Sequence, residues 1–301
     1  MAVKTRLHSF GRSCQLVIDD RSGNGNELAD LGRQELDRLE EKFSSFRDAS
    51  VISRINQAAG TGAFTPLDAE SRSLFEYISA LWSQSNHLFD PTTHLLQNCY
   101  AEDGRQVAST SQLQHMLKLV GWKHLQINEQ GAHLAHKGML IDLNSCISAY
   151  AADSVRKILS RNGAESAMIK MDRDVTTIGR QPDGANWLVG VRHPSGARTA
   201  IARLKVNGQG FAMRGDFERR IDIDGENFGR GLSPIDGQPV PGMLSVVVVA
   251  DSCLAACSAA SIARLKTEQA AVNWLEELDM PWMAVDRNLA CHGPLAPSPR
   301  F

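Results

Sequence analysis

Between Leu244 and Leu265 the chain reads LSVVVVADSCLAACSAASIARL, and this stretch constrains the fold more than any other. Val246 to Val249 is an unbroken β-branched run, the pattern of a strand covered on both faces. Ala, Ser and Cys then recur at helical spacing, with Leu254 and Ile262 as the larger apolar residues and Arg264 near the end. Asp251 and Ser252 stand at the switch, where a side-chain oxygen can cap the first helical N–H groups. A helix of small residues lets another backbone, or a ligand, come very close. Close helix–sheet packing and ligand approach both satisfy the pattern.

With 301 residues, 43% of them hydrophobic, the chain can bury a large core, as a single domain over 1–301 or as two entangled subdomains. A formal charge of −2 gives no basic footprint, which argues against nucleic acid as a partner. The six cysteines (Cys14, Cys99, Cys146, Cys253, Cys257 and Cys291) lack metal-knuckle spacing and read as reduced, mostly buried thiols. Cys253 and Cys257, four apart, share a helix face; two soft ligands and two core thiols are the alternatives there. MAVKTRLHSFGRS has no apolar secretory region, no lipobox is visible, and no run approaches transmembrane length. A cytoplasmic protein with no membrane partner is the expectation.

In chain order, Gln15–Asp19 reads as a strand and Glu27–Phe46 as an amphipathic helix, with Leu28, Leu31, Leu36, Leu39, Phe43 and Phe46 at its spacing. A short helix or turn capped by Ser50 follows, then a helix over 71–85, the Asp90-Pro91-Thr92 turn and a helix over 111–119. Strands are expected at 125–128 and 139–143 around a Gln130-Gly131 turn, and a helix from Tyr150 to Asn162 that stops at Gly163. Further strands are expected at 167–171, 187–191, 200–206 and 210–213. A Gly/Pro-rich loop over 228–240 leads into the valine strand and its helix. A helix over 268–278 and a strand over 282–285 close the chain, and residues 286–301 are expected to fray. The alternation predicts an α+β or mixed α/β fold, with antiparallel sheets and flanking helices.

The order of the landmarks carries more than any one of them. A Glu-rich helix ends in Phe43-Ser44-Ser45-Phe46, followed by Ser50 to Asn56 (SVISRIN), Phe89 to Thr92 (FDPT) and Ile141 to Asp153 (IDL before a Tyr-Ala-Ala-Asp helix). Then come a strand ending in Asp174, Trp187 to Gly190, Gly215 to Arg219 (GDFER), Pro234 to Val240, and the strand–helix above. In this order, over about residues 15–285, the chain resembles the ApbE family, the FAD:protein FMN transferases. The resemblance implies a T-fold-type architecture with FAD in a cleft and Mg²⁺ near the pyrophosphate. It also implies transfer of FMN to a Thr or Ser hydroxyl of a partner flavoprotein, with release of AMP.

The candidate cofactor-binding residues at the family's positions are Asp142, Arg173, Asp174, Arg214, Gly215, Arg230 and Pro234, the arginines because a guanidinium holds phosphate well. The family's GGIAKGYA segment falls on Asn144 to Ala151, with Ser148 at the Lys position. Its GGD is Asp172-Arg173-Asp174, and its T-S-G is Met213-Arg214-Gly215. Its H-x-x-D-P-x-T-G is read as Arg230 to Gly237. Its metal-holding A-D-x-x-x-T is read with Ala256 and Ala260 at the Asp and Thr positions, and a methyl group cannot ligate a hard cation. These losses imply a catalytically impaired or inactive homologue that keeps FAD or adenine-nucleotide binding, Mg²⁺ being doubtful. The alternatives are an active transferase rebuilt with Asp172, Asp174, Asp236 or Asp251 and the arginines 173, 214 and 230, and a partner-binding scaffold without flavin.

Overall fold

The structure, a computed structural model, describes residues 2–101, 105–194, 200–215, 221–223, 226–228 and 231–297, with 221–223 and 226–228 as backbone only. The chain opens with the hairpin β1 (Ala2–Ser9) and β2 (Arg12–Asp19), then α1 (Gly25–Phe43), α2 (Val51–Gln57), α3 (Ala69–Gln84) and α4 (Thr110–Leu117). The hairpin β3 (Leu125–Asn128) and β4 (Gly131–Leu134) leads to α5 (Ile147–Arg161). β5 (Ala167–Met171), β6 (Asp174–Ile178), β7 (Leu188–Arg192), β8 (Ala200–Lys205) and β9 (Gly210–Gly215) follow. After β10 (Ile221–Ile223) and β11 (Glu226–Phe228) come β12 (Ser245–Ala250), α6 (Cys253–Arg264), α7 (Glu268–Glu277), β13 (Trp282–Val285) and β14 (Cys291–His292).

Eight strands form one sheet in the order β1-β2-β5-β6-β9-β12-β13-β14, every neighbouring pair antiparallel. The mixed fold with antiparallel sheets and flanking helices is therefore as the sequence predicts. All six residues of β12 are buried, and the valine run explains itself. Val246, Val248 and Ala250 join the main core under α1, α5 and α6, while Val247 and Val249 join a second core with Val191 and Leu204 of the β7–β8 hairpin. Both faces of the strand are dry, so neither tolerates polar alternation.

The small residues of α6 serve close packing. A Cβ at Gly210 on β9 would lie 2.1 Å from the Cys253 nitrogen, so strand and helix start nearly touch. The helix is capped by Ser252, whose Oγ accepts from the Ala255 N–H at 3.1 Å, and by Asp153 of α5, whose carboxylate accepts the N–H groups of Cys253 (2.9 Å) and Leu254 (2.8 Å). Asp251 is exposed and outside that cap. Asp153, a landmark of the Tyr-Ala-Ala-Asp helix, thus ties the two helices that cover the sheet. Burial raises its pKa, against the pull of these N–H groups.

Two sequence expectations are corrected, and one strand was not foreseen. Residues 139–143 are not a strand: the Asn56 side chain takes up both backbone groups of Ile141 (2.7 and 3.0 Å), and the Asp142 N–H donates to Pro91, so this backbone is satisfied without a ladder. The N-terminal residues form β1, and its alternation of exposed and half-buried positions is that of an edge strand. Residues 291–292 pair with β13, and the Leu295 N–H donates to Trp282, where fraying was expected. The cysteines are free, five of them buried. Among the described residues no helix is long and apolar enough to cross a membrane.

Candidate functional site

A cleft of about 420 Å³ opens where the loop before α5, the β5–β6 turn, the end of β9, the FDPT turn and the C-terminal half of α6 converge. Its size suits a nucleotide-sized ligand. Strand register explains how two charged side chains come to its floor. Arg214 on β9 lies opposite Val246, and Asp174 on β6 lies opposite Ala212, two residues before Arg214. Val246 and Ala212 both face the helix side of the sheet. With a side-chain period of two, Asp174 and Arg214 point to that face as diagonal neighbours, and Met213 points to the other.

They meet as a two-pronged pair: Arg214 Nη1 lies 2.6 Å from Asp174 Oδ1 and Nη2 lies 3.0 Å from Oδ2. Asp174 is 1% exposed, whereas a fifth of the Arg214 side chain reaches the cleft. Nη2 also contacts Cys257 Sγ at 2.6 Å and the Ser145 carbonyl at 3.5 Å, and the Cys257 thiol donates to that carbonyl at 3.1 Å. Burial pushes the Cys257 thiol up to about 11 despite the guanidinium, so it is neutral at pH 7. For Arg214, burial opposes the charge, but the Asp174 carboxylate outweighs it and raises the pKa well above the usual arginine value.

Around this pair the cleft is lined with arginine. Arg12 Nη2 donates to the Asn144 carbonyl at 3.1 Å, and Arg12 lies 3.6 Å from Asp172. Arg173 Nη1 donates to the Gly215 carbonyl at 2.6 Å. Asp172 adopts φ +55, a left-handed conformation that suits glycine and that Asp tolerates better than most residues. Asp142 sits on the opposite wall, its carboxylate accepting from the Asn144 N–H (2.6 Å) and Nδ2 (2.9 Å), with His94 Nδ1 at 3.6 Å. Asp90 is committed internally to Thr92, Trp122 and Trp82. Arg12, Arg173, Arg214 and Arg264 thus share the cleft lining with Asp90, Asp142 and Asp172, Asp172 lying beside Arg12 and Arg173.

Of the residues the sequence singled out, Asp142, Arg173, Arg214 and Gly215 line the cleft, and Asp174 lies beneath it. Pro234 is outside its walls, Asp236 is exposed and bonded to the Gln238 N–H, and Arg230 lies outside the described residues, as do 216–219 of the GDFER landmark. Ser148 is 1% exposed, its hydroxyl has no partner, and it does not reach the cleft. Ala256 and Ala260 turn into the main core. One position further along and one turn apart, Ser261 lines the cleft, and Cys257, fully buried in the main core, touches the Arg214 guanidinium at the cleft floor. Arg12, His94, Ser261 and Arg264 were missed by sequence reasoning. Only the i, i+4 spacing of Cys257 and Ser261 could have pointed to any of them.

The donor set does not fit Mg²⁺. Both oxygens of Asp174 are taken by a guanidinium, the Ser145 carbonyl already accepts two bonds, and the neighbouring sulfur is a neutral thiol, whereas Mg²⁺ demands oxygen. Among the described residues no three His, Cys, Asp or Glu side chains converge as a metal site.

Comparison with known proteins shows the family and the fold. The ApbE family model matches residues 10–284. The chain belongs to the ApbE family. Two FAD:protein FMN transferases of Klebsiella pneumoniae are 24% identical over 260 residues (83% of this chain, 73% of the relative) and 28% identical over 232 residues (74% and 70%). The fold matches the ApbE protein of Thermotoga maritima with a TM-score of 0.85 at 24% identity, over 97% of each chain. It matches the flavinyl transferase ApbE of Pseudomonas stutzeri at 0.83 and 24%, over 95% of this chain and 91% of that one.

Proposed function

We propose that this ApbE-family chain holds FAD in the arginine-lined cleft, and that its capacity to transfer FMN to a target flavoprotein is impaired or lost. The observation that carries the reading is the cleft itself. It stays open at about 420 Å³, and it presents the Arg12, Arg173, Arg214 and Arg264 side chains to a ligand that brings two phosphates. Guanidinium groups suit phosphate oxygens through their planar fork. Met213 is buried in the second core and does not plug the space, which weighs against a scaffold that has given up ligands altogether.

Transfer asks for more than binding. A hydroxyl must attack the FMN phosphorus while AMP leaves, and catalysis of such a step rests on positioning and on neutralising charge at the bridging diphosphate. Here the Lys position falls on Ser148, buried away from the cleft, and among the described residues no group of three His, Cys, Asp or Glu side chains could hold a divalent cation. Stabilisation by a metal is worth several kcal/mol, and each ~1.4 kcal/mol is about tenfold in rate, so transfer should fall by several decades. The rebuilt transferase remains a second reading because Arg173 and Arg214 do reach the cleft. Mixing the protein with FAD, with and without a flavoprotein domain carrying an acceptor Thr, separates the readings. Quenched flavin fluorescence without covalent flavin on the acceptor is expected. Covalent flavin that appears at a rate typical of enzymes would establish the rebuilt site, and no quenching at all would leave a scaffold.

A further inference from the structure

The misfit with Mg²⁺ has a positive side, which deepens the reading above and rests on the same cleft. We infer that the Arg214 guanidinium is a tethered cation that occupies the place a divalent ion would take in this cleft, so that the site excludes metal and binds its anionic ligand without one. Three independent elements converge on this guanidinium: the Asp174 carboxylate from β6, the Ser145 carbonyl from the loop before α5, and Cys257 Sγ from α6. An acidic oxygen and a backbone carbonyl on separate elements, brought within reach of one positive group, make a cation-binding arrangement. The chain supplies the cation from β9.

The neighbours fit that assignment. Cys257 stands where an oxygen ligand would compete for the centre, and it is a thiol pressed against the fork. One turn on, the Ser261 hydroxyl is shielded from solvent, lines the cleft and lies beside the Cys257 thiol. The sequence supports this register, since Cys257 and Ser261 keep the four-residue spacing that Ala256 and Ala260 were expected to fill. Moving the Asp and Thr positions of the family's A-D-x-x-x-T one residue along puts the first against Arg214 and the second on the cleft wall.

Unlike an ion, a tethered guanidinium carries a single charge, and Asp174 neutralises it locally. Net attraction for an anion must then come from the other cleft arginines, and affinity should fall with added salt but ignore chelators.

The test is Mn²⁺ binding to the full chain without nucleotide, read from the loss of the free-ion electron paramagnetic resonance signal. The wild type is expected to leave that signal unchanged. Arg214→Ser combined with Cys257→Asp, which removes the tethered charge and adds an oxygen ligand, is expected to take up one equivalent of Mn²⁺ and to melt at a higher temperature with the ion than without. The single Arg214→Ser variant serves if the double variant does not fold, and it too should gain Mn²⁺ binding. One Mn²⁺ bound by the wild type and displaced by Mg²⁺ would overturn the inference, whatever the variants do. So would a folded variant that still binds none. The outcome is independent of flavin: metal exclusion by the wild type and uptake by the variant would stand even if FAD failed to bind, and that failure would remove only the flavin reading.

Discussion

Replacing Arg214 by methionine isolates the energetics of the cleft floor. Methionine keeps the length of the side chain but removes the fork, and Asp174, 1% exposed, loses the partner of both carboxylate oxygens. Breaking a buried pair by removing one member costs about 3–5 kcal/mol, because the remaining charge is stranded. Since a fifth of the Arg214 side chain is exposed, some water reaches the pair, and the lower end, about 3 kcal/mol, is expected. At about 2.1 cal/mol/K of unfolding entropy per residue, a chain of 301 residues shifts Tm by about 1.6 °C per kcal/mol, which puts the fall at about 5 °C. Adding Asp174→Asn should restore more than half of the loss, since the stranded charge is gone. Thermal unfolding followed by circular dichroism at pH 7 reads all three variants. An Arg214→Met protein that melts within about 2 °C of wild type, or a double variant no better than the single, would refute the pairing.

Two further outcomes follow from geometry elsewhere. Asp153→Ala removes the acceptor for the Cys253 and Leu254 N–H groups and should cost about 1–2 kcal/mol in urea denaturation, whereas Asp251→Ala, at an exposed position outside the cap, should cost nothing measurable. Hydrogen bonds from Arg38, then Lys42 and Tyr150, hold the Glu70 pKa at about 2 against a usual 4.5. Its folded value is the depressed one, so its contribution is complete above pH 4.5 and is lost as pH falls towards 2. With part of the carboxylate in solvent, about 1 kcal/mol is the expected size, and Glu70→Gln should flatten that part of the stability–pH curve.

Much of the fold was legible where one residue type has one physical use. The valine run declared a strand dry on both faces, Ser50 declared a helix start, and its Oγ does accept the Ser53 N–H. What escaped were elements decided by neighbours. β1 has no apolar run because it is an edge strand, and residues 139–143 look like a strand but find their backbone partners in the Asn56 side chain and Pro91. The site was legible in its strands and illegible in its helix. Along α6 nearly every side chain is Ala, Ser or Cys, so hydrophobicity cannot say which face looks at the cleft, and only packing shows that Ala256 and Ala260 stay in the core while Cys257 reaches Arg214 and Ser261 lines the cleft. Arg12 comes from the far end of the chain, and no local spacing could have placed it beside Asn144.

The central claim is that this cleft takes a dinucleotide without a divalent cation, and calorimetric titration of the wild-type protein with FAD, once with Mg²⁺ and once with a chelator, tests it most directly. Saturable binding with the same Kd in both is expected. Binding that appears or tightens tenfold or more only when Mg²⁺ is present would contradict it, since a gain of that size, about 1.4 kcal/mol, requires an ion at a site that Arg214 is held to fill.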